Sequence, residues 1–227
     1  MDSISAQYLE ELVTTCQVLE KDGFGPKVLE SADGLTIYKL FRRKRWFSSA
    51  QLRPYASRFV SNAAKIQSRG FRTITVRELS YCKQSAYHLV VYDKIPGISL
   101  RDLLKQELDS DRRAAVFALL GKMIARLHAS GVYFRSLHLG NLLWDEGGDF
   151  ALIDIADMRF YRRPLSAGQR CRNFRPMLKR KTDHSLIAFS DWQIIVDNYL
   201  LAAELGPQPA MTLKPKLLAV GEVLKRP

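Results

Sequence analysis

Across residues 16–41 apolar and polar positions alternate in short bursts broken by Gly23, Gly25 and Ala32-Asp33-Gly34, which predicts three antiparallel strands. The period then changes. Within residues 50–69, Phe59, Ala63 and Ile66 recur at helical spacing and Gly70 follows as a stop, so this stretch predicts a helix. "TITVRELSYC" and "AYHLVVYDKI" return to strand patterning. With a short helix expected over residues 4–13, residues 1–96 read as a five-stranded antiparallel sheet with one helix inserted after the third strand. Pro96-Gly97 breaks the pattern, and residues 97–227 read as mainly helical. A core-facing stripe of Val116, Leu119, Leu120, Met123 and Leu127 predicts a helix over residues 111–129. "SDWQIIVDNYLLAAEL" predicts another, N-capped by Ser190, ending before Gly206 and turning Trp192, Ile195 and Tyr199 inward. A shorter helix is expected over residues 213–224. The fold class is α+β in two domains, 1–96 and 97–227.

Between two of these elements lies "YFRSLHLGNLLWDEGGDFALIDIADMRF". Gly147-Gly148 can supply the two positive-φ residues of a tight hairpin turn, which sets Glu146 against Asp149, Trp144 against Ala151, Leu142 against Ile153 and Asn141 against Asp154. Partners in such a ladder lie about 5 Å apart between Cα atoms. An amide oxygen and a carboxylate would then sit side by side, a pair suited to Mg²⁺ that keeps several waters and shares phosphate ligands. The same two residues could instead cap the hairpin and bind only backbone.

The 227 residues are 47% hydrophobic, enough for a proper core, and Lys and Arg total 35 against 23 Asp and Glu. The net charge of +12 favours an anionic partner: nucleic acid, acidic lipid or a phosphorylated substrate. Cys16, Cys82 and Cys171 are odd in number and lack metal-ligand spacing, as expected of reduced thiols in a cytoplasmic protein. The N-terminus has no basic segment leading into an apolar one, and no apolar run approaches the roughly 18 residues of a spanning helix. Export by such a signal and a membrane-spanning helix are not expected.

A mainly β part, a short hinge and a mainly α part carrying the hairpin is the order of a protein-kinase-like fold, and several motifs fall in the matching order. "TIYK" resembles the third-strand lysine motif, "FRSLHLGN" the catalytic-loop pattern H-R-D-L-x-x-x-N, and "IDIA" the D-F-G motif. "YKLFRRKRWFSS", "YDKIPGISLRDLL" and "GVYFRSLHLGNLL…LIDIADMRF" are similar to the bacterial lipopolysaccharide kinase family. That group includes Kdo and heptose kinases and proteins labelled toluene-tolerance proteins. The resemblance spans residues 15–205 and implies a bilobal fold with a reduced, mainly helical second lobe. It also implies transfer from ATP, with Mg²⁺, to a sugar of the lipopolysaccharide inner core.

By the same resemblance Lys39 orients the nucleotide phosphates beneath Gly23 and Gly25. Asn141 and Asp154 hold the metal. Arg135, Ser136 and His138 form the catalytic loop, and Asp191 braces it. The sequence departs from the pattern in four places. The glycine loop is reduced to Gly23-Phe24-Gly25. Asn62 stands where the glutamate that pairs with the strand lysine is expected. Phe134 and Ser136 replace the loop His and Asp, and Ile155-Ala156 replace Phe-Gly. A base could come from His138 or Asp157; alternatively the chain is a pseudokinase that acts as a nucleotide-binding or regulatory module in envelope biogenesis. Basic residues cluster in "KLFRRKR", with Arg42, Arg43, Lys44 and Arg45, and again after Asp154. The second cluster, Arg162, Arg163, Arg170, Arg172 and Arg175, is placed to meet a lipopolysaccharide core or another anionic glycolipid. It would also allow peripheral contact with the inner membrane. Without a zinc, aromatic-repeat or helix-turn-helix signature, nucleic acid is disfavoured.

Overall fold

In the computed structural model, residues 2–42, 54–145 and 147–225 are described, and the chain divides between Pro96 and Gly97 into two units. Arg43, Lys44 and Arg45, residues 50–53 of the expected helix, and Glu146 with its pairing to Asp149 lie outside the described residues.

The first unit begins with β1 (Asp2–Ser3) and α1 (Ala6–Thr15). Ser5 starts α1 by accepting the Tyr8 amide at 3.1 Å. Three strands follow, β2 (Gln17–Asp22), β3 (Gly25–Glu30) and β4 (Thr36–Arg42), then α2 (Tyr55–Gln67), β5 (Arg72–Thr73), β6 (Val76–Cys82) and β7 (Tyr87–Asp93). The sheet order is β1-β6-β7-β4-β3-β2, with the last five strands antiparallel as expected. The pattern did not disclose β1, a two-residue edge pairing parallel with β6, because two residues carry no period. One face of the sheet packs Leu29, Leu40, Leu89 and Val91 against Leu9 and Leu12 of α1. Phe59, Ala63 and Ile66 of α2 are buried, as their spacing predicts.

The second unit opens with β8 (Ile98–Ser99) and α3 (Leu100–Leu103), followed by α4 (Ser110–Ala129). Asp109 caps α4 by accepting from Arg112 N–H at 2.8 Å. The chain continues through β9 (Val132–Phe134), β10 (Leu142–Trp144), β11 (Phe150–Leu152), β12 (Met158–Phe160), α5 (Ala167–Phe174), α6 (Phe189–Ala202) and α7 (Pro207–Val220). Val116, Leu120, Met123 and Leu127 are buried, whereas Leu119 is 38% exposed; Phe117 and Ile124 take up the inward face instead. Across from them lie Trp192, Ile195, Val196 and Tyr199 of α6, all fully buried. Gly121 lets the two helices meet closely, since a Cβ there would collide with the Ile195 carbonyl and lie 2.9 Å from Tyr199 N. Two boundaries differ from expectation. The N-cap of α6 is Ala188, not Ser190, because Asp191 reaches back to accept the Ala188 amide at 2.8 Å. The last helix begins earlier than residue 213, with Pro207 in its first turn after Gly206.

The hairpin register also differs by one residue: Leu142 pairs with Leu152, Leu143 with Ala151 and Trp144 with Phe150. Of the glycine pair only Gly148, at φ 80°, is left-handed, and Asp145 Oδ1 accepts the Asp149 amide at 3.0 Å, so the turn is longer than a glycine pair requires. Asn141 therefore faces Ile153, whose N–H donates to the Asn141 carbonyl at 3.0 Å, and not Asp154.

Candidate active site

The expected nucleotide residues of the first unit lie on β4 and on the β2–β3 turn at the sheet edge. Lys39, in β4 between Val28 and Val90, is 9% exposed, and its ammonium lies 5.1 Å from the Phe59 ring centre and 5.7 Å from that of Phe41. Contacts of this kind hold a cation in a partly desolvated place. Asn62, on the same α2 as Phe59, is also buried. Gly23 and Gly25 belong to the tight β2–β3 turn, where Asp22 Oδ1 accepts the Phe24 amide at 2.8 Å and Gly25 takes φ 122°. A Cβ on either glycine would meet nothing within 4 Å, so the turn offers bare backbone.

In the second unit the loop from Phe134 to Asn141 is shaped by its alternation. Leu137 and Leu139 are fully buried, which leaves Ser136 and His138 half-exposed between them and Arg135 outside. The Leu137 amide donates to the Phe134 carbonyl at 3.1 Å, and the Asn141 amide to the His138 carbonyl at 2.9 Å. The Asn141 side chain, 6% exposed, donates Nδ2 to the Ser136 carbonyl at 2.9 Å, leaving Oδ1 as its acceptor. Ser136 Oγ donates to the Asp154 carbonyl over 3.3 Å. Asp154 ends the strand by turning left-handed, φ 51° and ψ 49°, while Ile155 and Ala156 behind it are buried and its own side chain is exposed. The loop and the segment at Asp154 are thus tied together through Ser136 without the ladder pairing the sequence suggested.

One amide oxygen and one carboxylate are hard donors that suit Mg²⁺ when nucleotide phosphates and water complete the shell. Among the described residues no group of three or more His, Cys, Asp and Glu side chains could hold a metal alone. The residues therefore fit a metal that arrives with phosphates. His138 Nδ1 is buried without a hydrogen-bond partner. Burial, then the charges of Arg180 and Arg101, push its pKa below the ordinary histidine value, against opposing pulls from Asp154 and Asp183. The ring is held neutral at pH 7.

Two sequence expectations land elsewhere. Arg162, Arg163, Arg172 and Arg175 are exposed, but Arg170 is 3% exposed and engaged inside, its Nε on the Leu165 carbonyl at 2.8 Å and its Nη1 on Tyr199 Oη at 2.7 Å. It points inward because α5 turns Arg170, Asn173 and Phe174 to the core and Arg172 and Arg175 to solvent. Asp191 does not reach the loop: its oxygens take Arg113 Nη2 at 2.6 Å and the Ala188 amide. The residue against the loop is Arg101, whose guanidinium fills the space a Cβ at Gly140 would occupy while Asp183 grips it bidentately at 2.7 and 2.9 Å. Neither was foreseen. No local pattern marks a pair whose members lie 82 residues apart.

No curated protein matches the chain. Among solved structures, a crystal structure of WbdD is similar at a TM-score of 0.48 and 16% identity, covering 84% of this chain and 48% of that one. The chain thus spans about half the length of WbdD. A family model, described as the lipopolysaccharide kinase (Kdo/WaaP) family, matches residues 64–199, from α2 through the loop and Asp154 to Tyr199. That match takes in more than half of the 227 residues, and the chain belongs to the lipopolysaccharide kinase (Kdo/WaaP) family.

Proposed function

We propose that the protein is an ATP- and Mg²⁺-dependent kinase that phosphorylates a sugar of the lipopolysaccharide inner core. The observation that carries this reading is the tie between loop and metal segment. Asn141 gives its N–H to Ser136 and Ser136 gives its O–H to the Asp154 backbone, which brings two hard oxygen donors, Asn141 Oδ1 and the Asp154 carboxylate, onto one tied segment of the kind a metal with phosphates uses. Mg²⁺ supplies charge neutralisation as phosphoryl transfer proceeds. Lys39 binds phosphate oxygens, and Asn141 and Asp154 fix the metal. Because Ser136 is no base at neutral pH, the proton of the acceptor hydroxyl goes to neutral His138, at Nε2, as that oxygen bonds to the γ-phosphorus and ADP leaves. Arg135, exposed beside Ser136, is available to an anionic acceptor.

The acceptor's charge is met by Arg162, Arg163, Arg172 and Arg175, in a stretch with no acidic residue between Asp157 and Asp183. Such a segment suits a phosphorylated glycolipid and work at the cytoplasmic face of the inner membrane. No helix among the described residues is long and apolar enough to cross a membrane. A pseudokinase is the second reading, favoured by Ser136 Oγ facing a backbone carbonyl where a catalytic carboxylate is expected.

Calorimetric titration with ATP, with and without Mg²⁺, tests the first reading. Binding that needs Mg²⁺ and is lost in Lys39→Ala and Asp154→Ala is expected; no binding at millimolar ATP refutes it. Transfer to lipopolysaccharide cores then separates kinase from pseudokinase. In the kinase, His138→Ala slows turnover by about 10²–10⁴-fold while Mg·ATP affinity holds, and an unchanged rate removes His138 as the base.

A further inference from the structure

Phe134 stands two residues before Ser136, at the end of β9, with β12 as its ladder partner through Met158. Its backbone is also held by a side chain: the Phe134 N–H donates to Asn173 Oδ1 at 3.1 Å, and Asn173 Nδ2 donates to the Phe134 carbonyl at 2.5 Å. The amide of Asn173, 1% exposed, thus serves as a fragment of an added strand.

The orientation of that amide follows from chemistry, since a backbone N–H can only donate and so requires Oδ1 opposite it. Oδ1 also lies 3.1 Å from His128 Nε2, so Nε2 carries the proton. His128 Nδ1 must then accept, and it lies 3.0 Å from Tyr199 Oη, which in turn accepts from Arg170 Nη1. Arg170 holds the Leu165 carbonyl, and the Leu165 amide returns to the His128 carbonyl at 2.9 Å. All four side chains are at most 3% exposed. A chain of hydrogen bonds with one consistent direction runs from the guanidinium to the backbone that leads into the loop. Burial lowers the pKa of His128 to about 3, so the ring stays in the neutral form this direction requires.

We infer that Asn173 is the positioning residue of the Phe134–Asn141 loop, with His128, Tyr199 and Arg170 fixing its amide. This takes its functional meaning from the kinase reading but is tested without it. Residue-resolved amide hydrogen exchange on the full chain reads it directly. In Asn173→Ala, amides of residues 134–141 should exchange at least about tenfold faster, while those in the middle of α4 and α6 keep their protection. Unchanged protection at 134–141, or equal loosening of α4 and α6, overturns the inference.

Asn173→Asp gives a second arm. An ionised carboxylate faces the Phe134 carbonyl with like polarity, whereas its protonated form donates as the amide does. Around position 173 the titratable and charged groups are His128 from α4, Arg170 from α5 and Tyr199 from α6. Burial pushes the Tyr199 phenol up to about 12, so between pH 5.5 and 8 neither Tyr199 nor His128 changes charge. Protection factors at 134–141 in Asn173→Asp, each taken relative to wild type at the same pH so that the loop's own His138 cancels, should therefore rise toward wild type as pH falls; no pH dependence of that ratio overturns the inference. A wild type that binds no Mg·ATP refutes the kinase reading and leaves the exchange pattern to stand. An exchange pattern indifferent to Asn173 refutes the positioning role alone.

Discussion

Two arginine–carboxylate pairs tie the early helices of the second unit to one later stretch, and they differ in what lies beyond the arginine. Arg101 meets Asp183, whose side chain is fully buried, and its free end presses on Gly140 of the Phe134–Asn141 loop. Arg113 meets Asp191, 8% exposed, and its Nη2 goes on to the Leu186 carbonyl at 2.8 Å. The chemistry is the same and the consequence is not: one pair bears on the loop, the other fastens the start of α6. Which carboxylate braces a site depends on the neighbour of its partner, and a motif match at the carboxylate does not contain that.

The comparison must be made at neutral pH, because the largest expected effect is an acid one common to both pairs. His128 has a folded pKa of about 3 against an ordinary value near 6.5, so below pH 6.5 the unfolded chain takes up a proton that the folded chain refuses. Stability is full above pH 6.5 and falls as pH drops toward 3, by as much as about 5 kcal/mol at the limit. Urea unfolding across this range checks it, and His128→Gln should flatten the slope; the same slope in that variant would place the acid sensitivity elsewhere.

Next in size, Asp183→Ala leaves the half-buried Arg101 without its carboxylate and should cost about 3 kcal/mol, the low end for a pair of which only the carboxylate is fully buried. Asp191→Ala should cost less, roughly 1–3 kcal/mol, since Arg113 keeps the Leu186 carbonyl. Equal losses in chemical unfolding would erase the distinction. The smallest effect is the most discriminating. Gly140→Ala should cost about 1–3 kcal/mol by displacing a guanidinium that Asp183 holds in place. Combined with Asp183→Ala, most of that penalty should vanish, because the released arginine can move; combined with Asp191→Ala, the two losses should add. Additivity in both double variants would mean that Arg101 does not press on the loop.

Much of the fold was legible because period carries it: five antiparallel strands, α2, α4 and α6 follow from where apolar residues recur. What failed was local and polar. Gly147-Gly148 suggested a two-residue turn, but the Asp145 carboxylate binding the Asp149 amide favours a longer one, and a single added residue moved Asn141 from Asp154 to Ile153. In α5 the arginines looked alike as charges, yet helical phase buries Arg170 and exposes Arg172. Asn173, Arg101 and Asp183 act through partners 39 and 82 residues away, separations at which one sequence holds no periodic signal.

Those separations also set an order of events during synthesis. Asn141 and Asp154 leave the ribosome before Asn173, Asp183 and Tyr199, the residues on which the clamped form of the loop depends. A nascent chain halted between Asp154 and Asn173 would hold both magnesium candidates with the loop backbone still unclamped.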